Sequence, residues 1–146
     1  MHAFDTNVLV DAANRDSPWH DQCLSFLSKQ REGPHAWFST WPIVYEFLRV
    51  TTHARVLQKP FTAGRAWEFI SATLLASPGF SMLTPSARHA EVAHDIIAEH
   101  PHLRGNVFHH AHTAILMREH GVKTIVTRDA DFHRFKFLEV VDPADV

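Results

Sequence analysis

Short apolar runs of strand length alternate with stretches of helical periodicity along almost the whole of this chain, and no repeat, low-complexity tract or linker interrupts them. This alternation predicts an α/β fold with a parallel sheet covered on both faces, because each parallel crossover needs a helix-length connection. The strands expected are His2 to Asp5, Trp37 to Ser39, Phe80 to Leu83, Lys123 to Thr127 and a short last one at Leu138 to Val141. Between them the spacing predicts helices from Asn7 to Ala13, His20 to Arg31, Thr40 through Leu48, Thr62 through Leu74, Ser86 through Ile96 and Asn106 to His120. Local signals mark several ends. Thr40 and Thr62 are capping residues, Pro42 sits in a first turn, and Gly121 follows the last long helix where a left-handed backbone is expected.

The 146 residues read as one domain spanning 1–146, long enough to bury roughly 70% of the unfolded surface without staples. A formal net charge of -2 argues against a strongly basic nucleic-acid clamp while leaving local patches open. Cys23 is the only cysteine and no signal-type segment opens the sequence, so a reducing, cytoplasmic setting is expected. No apolar stretch reaches membrane-spanning length. The 13 histidines raise the question of metal binding, yet His109-His110-Ala111-His112 lacks the one-turn spacing of a paired zinc motif.

The acids are better placed than the histidines. Asp5 stands at the tip of the first strand and Asp129 just after the fourth, and in an open parallel sheet the carboxyl ends of strands face the ligand crevice. Asp5 also precedes a helix and so can act as its cap; Asp129 and Asp131 can likewise serve as turn or cap residues. Glu46 borders the apolar stripe of Ile43, Val44 and Phe47, and its local alternative is an ion pair with Arg49 at i+3. Acids brought together repel one another unless a divalent cation neutralises them, and oxygen ligands suit Mg²⁺ or Mn²⁺.

Asp5-Thr6-Asn7, the helical Glu46, the run Gly105 to His112, and Thr127-Arg128-Asp129-Ala130-Asp131-Phe132 together resemble a PIN domain. More narrowly they resemble the VapC ribonuclease toxins of bacterial toxin–antitoxin pairs, and the resemblance covers almost the whole chain. It implies a three-layer fold with a central parallel sheet of about five strands, and metal-dependent cleavage of RNA phosphodiesters with Mg²⁺ or Mn²⁺. Asp5 matches the family's first acid, Glu46 the second and Asp129 the fourth, with Asp131 a further acid often present nearby. The third position departs from the pattern, because the Asp expected before Ala-His in the long helix is His110 here. The implied catalytic set is Asp5, Glu46, Asp129 and Asp131, and the implied metal ligands are Asp5, Glu46, His110 and Asp129. A catalytically weakened module that binds antitoxin or RNA without turnover is the alternative that His110 raises.

Thr6, Asn7 and Thr127 are candidates to orient the ligands by hydrogen bonds. Arg49, Arg55, Lys59 and Arg128 are the basic residues nearest the inferred site, and Trp37 or Trp41 can stack on a base. The resemblance further implies a small VapB-like antitoxin as partner, a structured RNA such as tRNA or rRNA as substrate, and homodimerisation.

Overall fold

The computed structural model describes residues 1–146. Its sheet contains β1 (His2–Phe4), β2 (Trp37–Ser39), β3 (Phe80–Met82), β4 (Thr124–Val126) and β5 (Glu139–Val141). All four pairings are parallel and the strand order is β3-β2-β1-β4-β5. The helices are α1 (Thr6–Ala13), α2 (His20–Glu32), α3 (Trp41–Thr51), α4 (Ala63–Ile70), α5 (His89–Glu99) and α6 (Val107–Glu119).

Alternation along the central strand divides the interior into two cores. Phe4 joins Trp37, Phe26, Leu9, Phe47 and Ile70 beneath α1 to α4. Its neighbour Ala3 faces Ile96, Leu116, Met117, Ile125 and Phe132 beneath α5 and α6. The result is the expected helix, sheet, helix sandwich. Chain order runs outward from β1 in both directions, so the topological switch lies between β1 and β4, and the residues following these two strands share one crevice.

Several ends form where local chemistry predicts. Thr40 Oγ1 accepts the Ile43 N–H at 3.4 Å and a proline opens α3. Gly121, at φ 68°, ends α6 with Val122 N–H donating to Met117 O and Gly121 N–H to Arg118 O, the paired bonds of a Schellman stop.

Other ends differ. Ser86 does not open α5, which begins at His89. Its N–H and hydroxyl instead donate to Glu119 Oε1 at 2.9 and 2.6 Å, a long-range tie that holds it outside the helix. The helix expected from Thr62 through Leu74 widens at Ser71–Leu75 into a π-turn, closed by Ala76 N–H donating to Ser71 O. Trp67 of α4 faces outward. The strands are shorter than expected: β1 ends at Phe4, and Asp5 begins the turn while its N–H still donates to Val126 O.

Candidate active site

Asp5 occupies the N-cap position of α1, but its side chain makes no capping bond. The carboxylate instead accepts hydrogen bonds from Asn7 Nδ2 at 3.0 Å and Thr127 Oγ1 at 3.2 Å. Asn7 also donates to Thr127 Oγ1 at 2.7 Å, and its own Oδ1 accepts the Arg128 N–H. Thr127 Oγ1 in turn accepts the Asp129 N–H at 3.0 Å. This network stitches the end of β1 to the end of β4 and fixes both acids across the switch point.

Asp129 has two roles at once. Its Oδ1 caps the short 3₁₀ turn Ala130–Arg134 by accepting the Asp131 N–H at 2.9 Å, while Oδ2 lies 3.2 Å from His110 Nε2. The His110 ring is held edge-on by Phe132, with centroids 4.7 Å apart. Asp5, His110 and Asp129 each offer a ligating atom, and these atoms lie within 4.8 Å of one another.

Glu46 lies outside that tight group but lines the same cavity of about 240 Å³ as Asp5, Arg49, His109, His110 and Thr113. Its Oε2 accepts Thr6 Oγ1–H at 2.7 Å, whereas the pair with Arg49 is a loose 3.7 Å contact between exposed groups. Thr6 rather than Arg49 therefore positions Glu46. Asp131 stands apart, its carboxylate taken by Arg134 at 2.6 Å.

Burial above all pushes the Asp5 carboxyl above its ordinary range, and the nearby Glu46 charge adds to this. The Thr6 backbone, His110 and Thr127 act in the opposite direction. A buried acid beside other acids is held at a cost that a divalent cation would offset. Two carboxylates and an imidazole form a donor set that fits Mn²⁺ and related cations, with less hard-oxygen character than an all-acid site offers Mg²⁺.

The basic candidates separate. Arg49 lines the acid cavity. Arg55 is exposed, and Lys59 lines a different cleft with Arg15, Leu57 and Phe61. Arg128 is engaged structurally: its guanidinium donates to Asp142 Oδ1 at 3.0 Å and Cys23 Sγ at 3.1 Å and lies 4.3 Å over the Trp19 ring. Trp37 is buried with Nε1–H donating to Ser77 Oγ, so it presents no face to a base, whereas Trp41 is exposed. Sequence reasoning passed over Tyr45, His109 and Thr113, which line the cavity. Helical spacing could have found Thr113, one turn after His110 on the same face, whereas Tyr45 and His109 are sequence neighbours of Glu46 and His110 that spacing alone turns aside.

The PIN domain family model matches residues 3–138. Ribonuclease VapC48 of Mycobacterium tuberculosis is 33% identical over 140 residues, covering 96% of this chain and 95% of the relative. Ribonuclease VapC37 of the same organism is 29% identical, with 93% and 92% covered. Among solved structures, the Mycobacterium tuberculosis VapC20, described as a Sarcin-Ricin loop cleaving toxin, superposes with a TM-score of 0.68 at 18% identity, covering 97% of this chain and 99% of that one. The VapBC2 structure from Rickettsia felis, bound to a promoter DNA fragment, gives 0.67 at 14% identity, with 97% of each chain covered. This chain belongs to the PIN-domain family, within its VapC-type ribonucleases. PIN-domain nucleases are generally dependent on a divalent metal, and this chain is a ribonuclease toxin of that family. No helix is long and apolar enough to cross a membrane.

Proposed function

We propose that this chain, as a single domain over 1–146, hydrolyses RNA phosphodiesters with Mg²⁺ or Mn²⁺ held by Asp5, Glu46, His110 and Asp129. The observation that carries this reading is the meeting of Asp5, His110 and Asp129 ligand atoms within 4.8 Å at the switch point. When bound, the cation supplies an acidified water and charge neutralisation at the phosphate. Asn7 and Thr127 hold Asp5 in place, and Thr6 turns Glu46 toward the cavity. Asp131 acts indirectly, donating its N–H to Asp129 while its carboxylate anchors Arg134. Arg49 is the basic group best placed for RNA, because it shares the cavity.

The activity fits a toxin restrained by a small VapB-like antitoxin, acting as a homodimer on a structured RNA such as tRNA or rRNA. The similarity to VapC48 and to the VapBC2 assembly supports that partner class. The contact between His110 and Asp129 favours one second reading, in which a weakened metal site leaves binding without turnover. Cleavage of total RNA by the purified chain, with Mn²⁺ and with EDTA, separates them: metal-dependent fragments support the nuclease, and intact RNA with retained binding supports the module.

A further inference from the structure

Helix α3 buries Ile43, Val44 and Phe47, so its opposite face should carry polar side chains. Instead Trp41 and Tyr45, one turn apart on that face, are 38% and 65% exposed. Their ring centroids are 6.3 Å apart at 41°, close enough that no third ring fits between them, so what they offer is their outward faces. The exposed Trp19, by contrast, lies beneath the Arg128 guanidinium.

Position decides what the aromatic pair is for. Tyr45 lines the cavity that holds Asp5, Glu46 and His110, and Arg49, a further turn along the same face, lines it too. Arg49 is only loosely held by Glu46, at 3.7 Å with both groups exposed, so its guanidinium is free to turn to a phosphate. A stripe of two aromatic faces and one cation therefore runs directly into the acid cluster. That order matches the chemistry of an RNA strand, in which a base and a phosphate alternate along one backbone.

We infer that Trp41 and Tyr45 form a stacking platform for an unpaired nucleobase next to the scissile phosphate, with Arg49 contacting the backbone. A base inside a duplex has both faces covered by its neighbours, so the platform selects single-stranded or looped-out RNA. The inference rests on the ribonuclease reading for the position of the phosphate, but stacking is measurable without catalysis.

The test uses the full chain in EDTA with three probes: a short single-stranded oligoribonucleotide, the same strand made abasic, and its duplex. The parent should bind the base-bearing strand in preference to both others. Joint Trp41→Ala and Tyr45→Ala substitution should weaken that binding about ten- to a hundredfold, leave abasic binding unchanged, and be rescued by Phe at both positions. Equal binding of base-bearing and abasic strands by the parent overturns the platform, as does no binding or indifference to the double substitution. Conversion of a parental dimer to monomers by the same substitution also overturns it, by making this face a contact between copies. Cleavage assayed separately with Mn²⁺ isolates the chemistry: base-dependent binding without cleavage leaves the platform standing, and cleavage without base dependence removes it.

Discussion

His110 Nε2 lies 3.2 Å from Asp129 Oδ2, so an imidazole on α6 closes against the carboxylate that follows β4. The same imidazole also acts on Asp5, against the burial that raises its pKa. The same contact occupies the ring nitrogen and the carboxylate oxygen that a metal would need. His110→Asp exchanges one imidazole for hard oxygens and adds a negative charge. Calorimetric titration of the EDTA-stripped protein should show Mn²⁺ and Mg²⁺ binding tightened by about tenfold or more, with the larger gain for Mg²⁺. Unchanged affinities for both ions would mean that His110 is not at the metal.

Asn7 donates to both Asp5 and Thr127, which makes it the keystone between the two strand tips. Asn7→Ala should lower metal affinity or cleavage rate by roughly 10–100-fold, the range seen when groups that orient ligands are removed. Asp5 and Asp129 remain present in that variant, so circular dichroism should report an unchanged fold. Full affinity in Asn7→Ala would move the positioning role to Thr127 alone.

Glu119 ties α5 to α6, with Oε1 accepting from Ser86 and Oε2 lying 2.6 Å from His89 Nδ1. Burial opposes its charge, but the hydrogen bonds from Ser86 and His89 prevail and hold its carboxyl below the ordinary value of 4.5. A carboxyl with a depressed folded pKa stabilises the protein above its unfolded value and loses that contribution as pH falls through the folded one. Thermal melts should therefore show Glu119→Gln destabilised near neutral pH by about 1–3 kcal/mol. The gap to the parent should narrow below pH 4.5. A gap independent of pH would assign the loss to packing.

Arg128 follows the fourth strand beside Asp129, yet only 15% of its side chain is exposed and its guanidinium is committed to Asp142, Cys23 and Trp19. Arg128→Ala should cost about 1–3 kcal/mol in urea unfolding. The salt dependence of RNA binding should stay as in the parent, because no phosphate contact is lost. A shallower salt slope in Arg128→Ala would restore it as an RNA contact.

The features legible in the sequence are those whose causes are local. Thr40 with Pro42, and Gly121 after α6, carry their own turn chemistry, and β1 and β4 announced themselves as apolar runs ending just before acids. The features that escaped depend on partners far along the chain. Ser86 looks like a helix start until Glu119, 33 residues away, takes its N–H and hydroxyl. Arg128 looks like a site cation until Cys23, 105 residues away, takes its guanidinium. At the site, the acids could be placed at strand ends from pattern alone. That Asp5 forgoes capping for a bond to Thr127, 122 residues on, required the fold. Trp37 and Trp41 were equivalent as candidate stacking groups by composition, and only burial separates them.

The proposed place of Asp5 in an RNA-cleaving metal site is checked by comparing the parent with Asp5→Asn on total RNA in Mn²⁺ and in EDTA. Because burial raises the Asp5 pKa, its charge costs stability as pH rises above 3.8, and the amide removes that cost. The variant should melt no lower than the metal-free parent near neutral pH. Mn²⁺-dependent fragments are expected from the parent, none in EDTA, and cleavage at least about a hundredfold slower from the folded Asp5→Asn protein. Equal Mn²⁺-dependent cleavage by both proteins would remove Asp5 from the site.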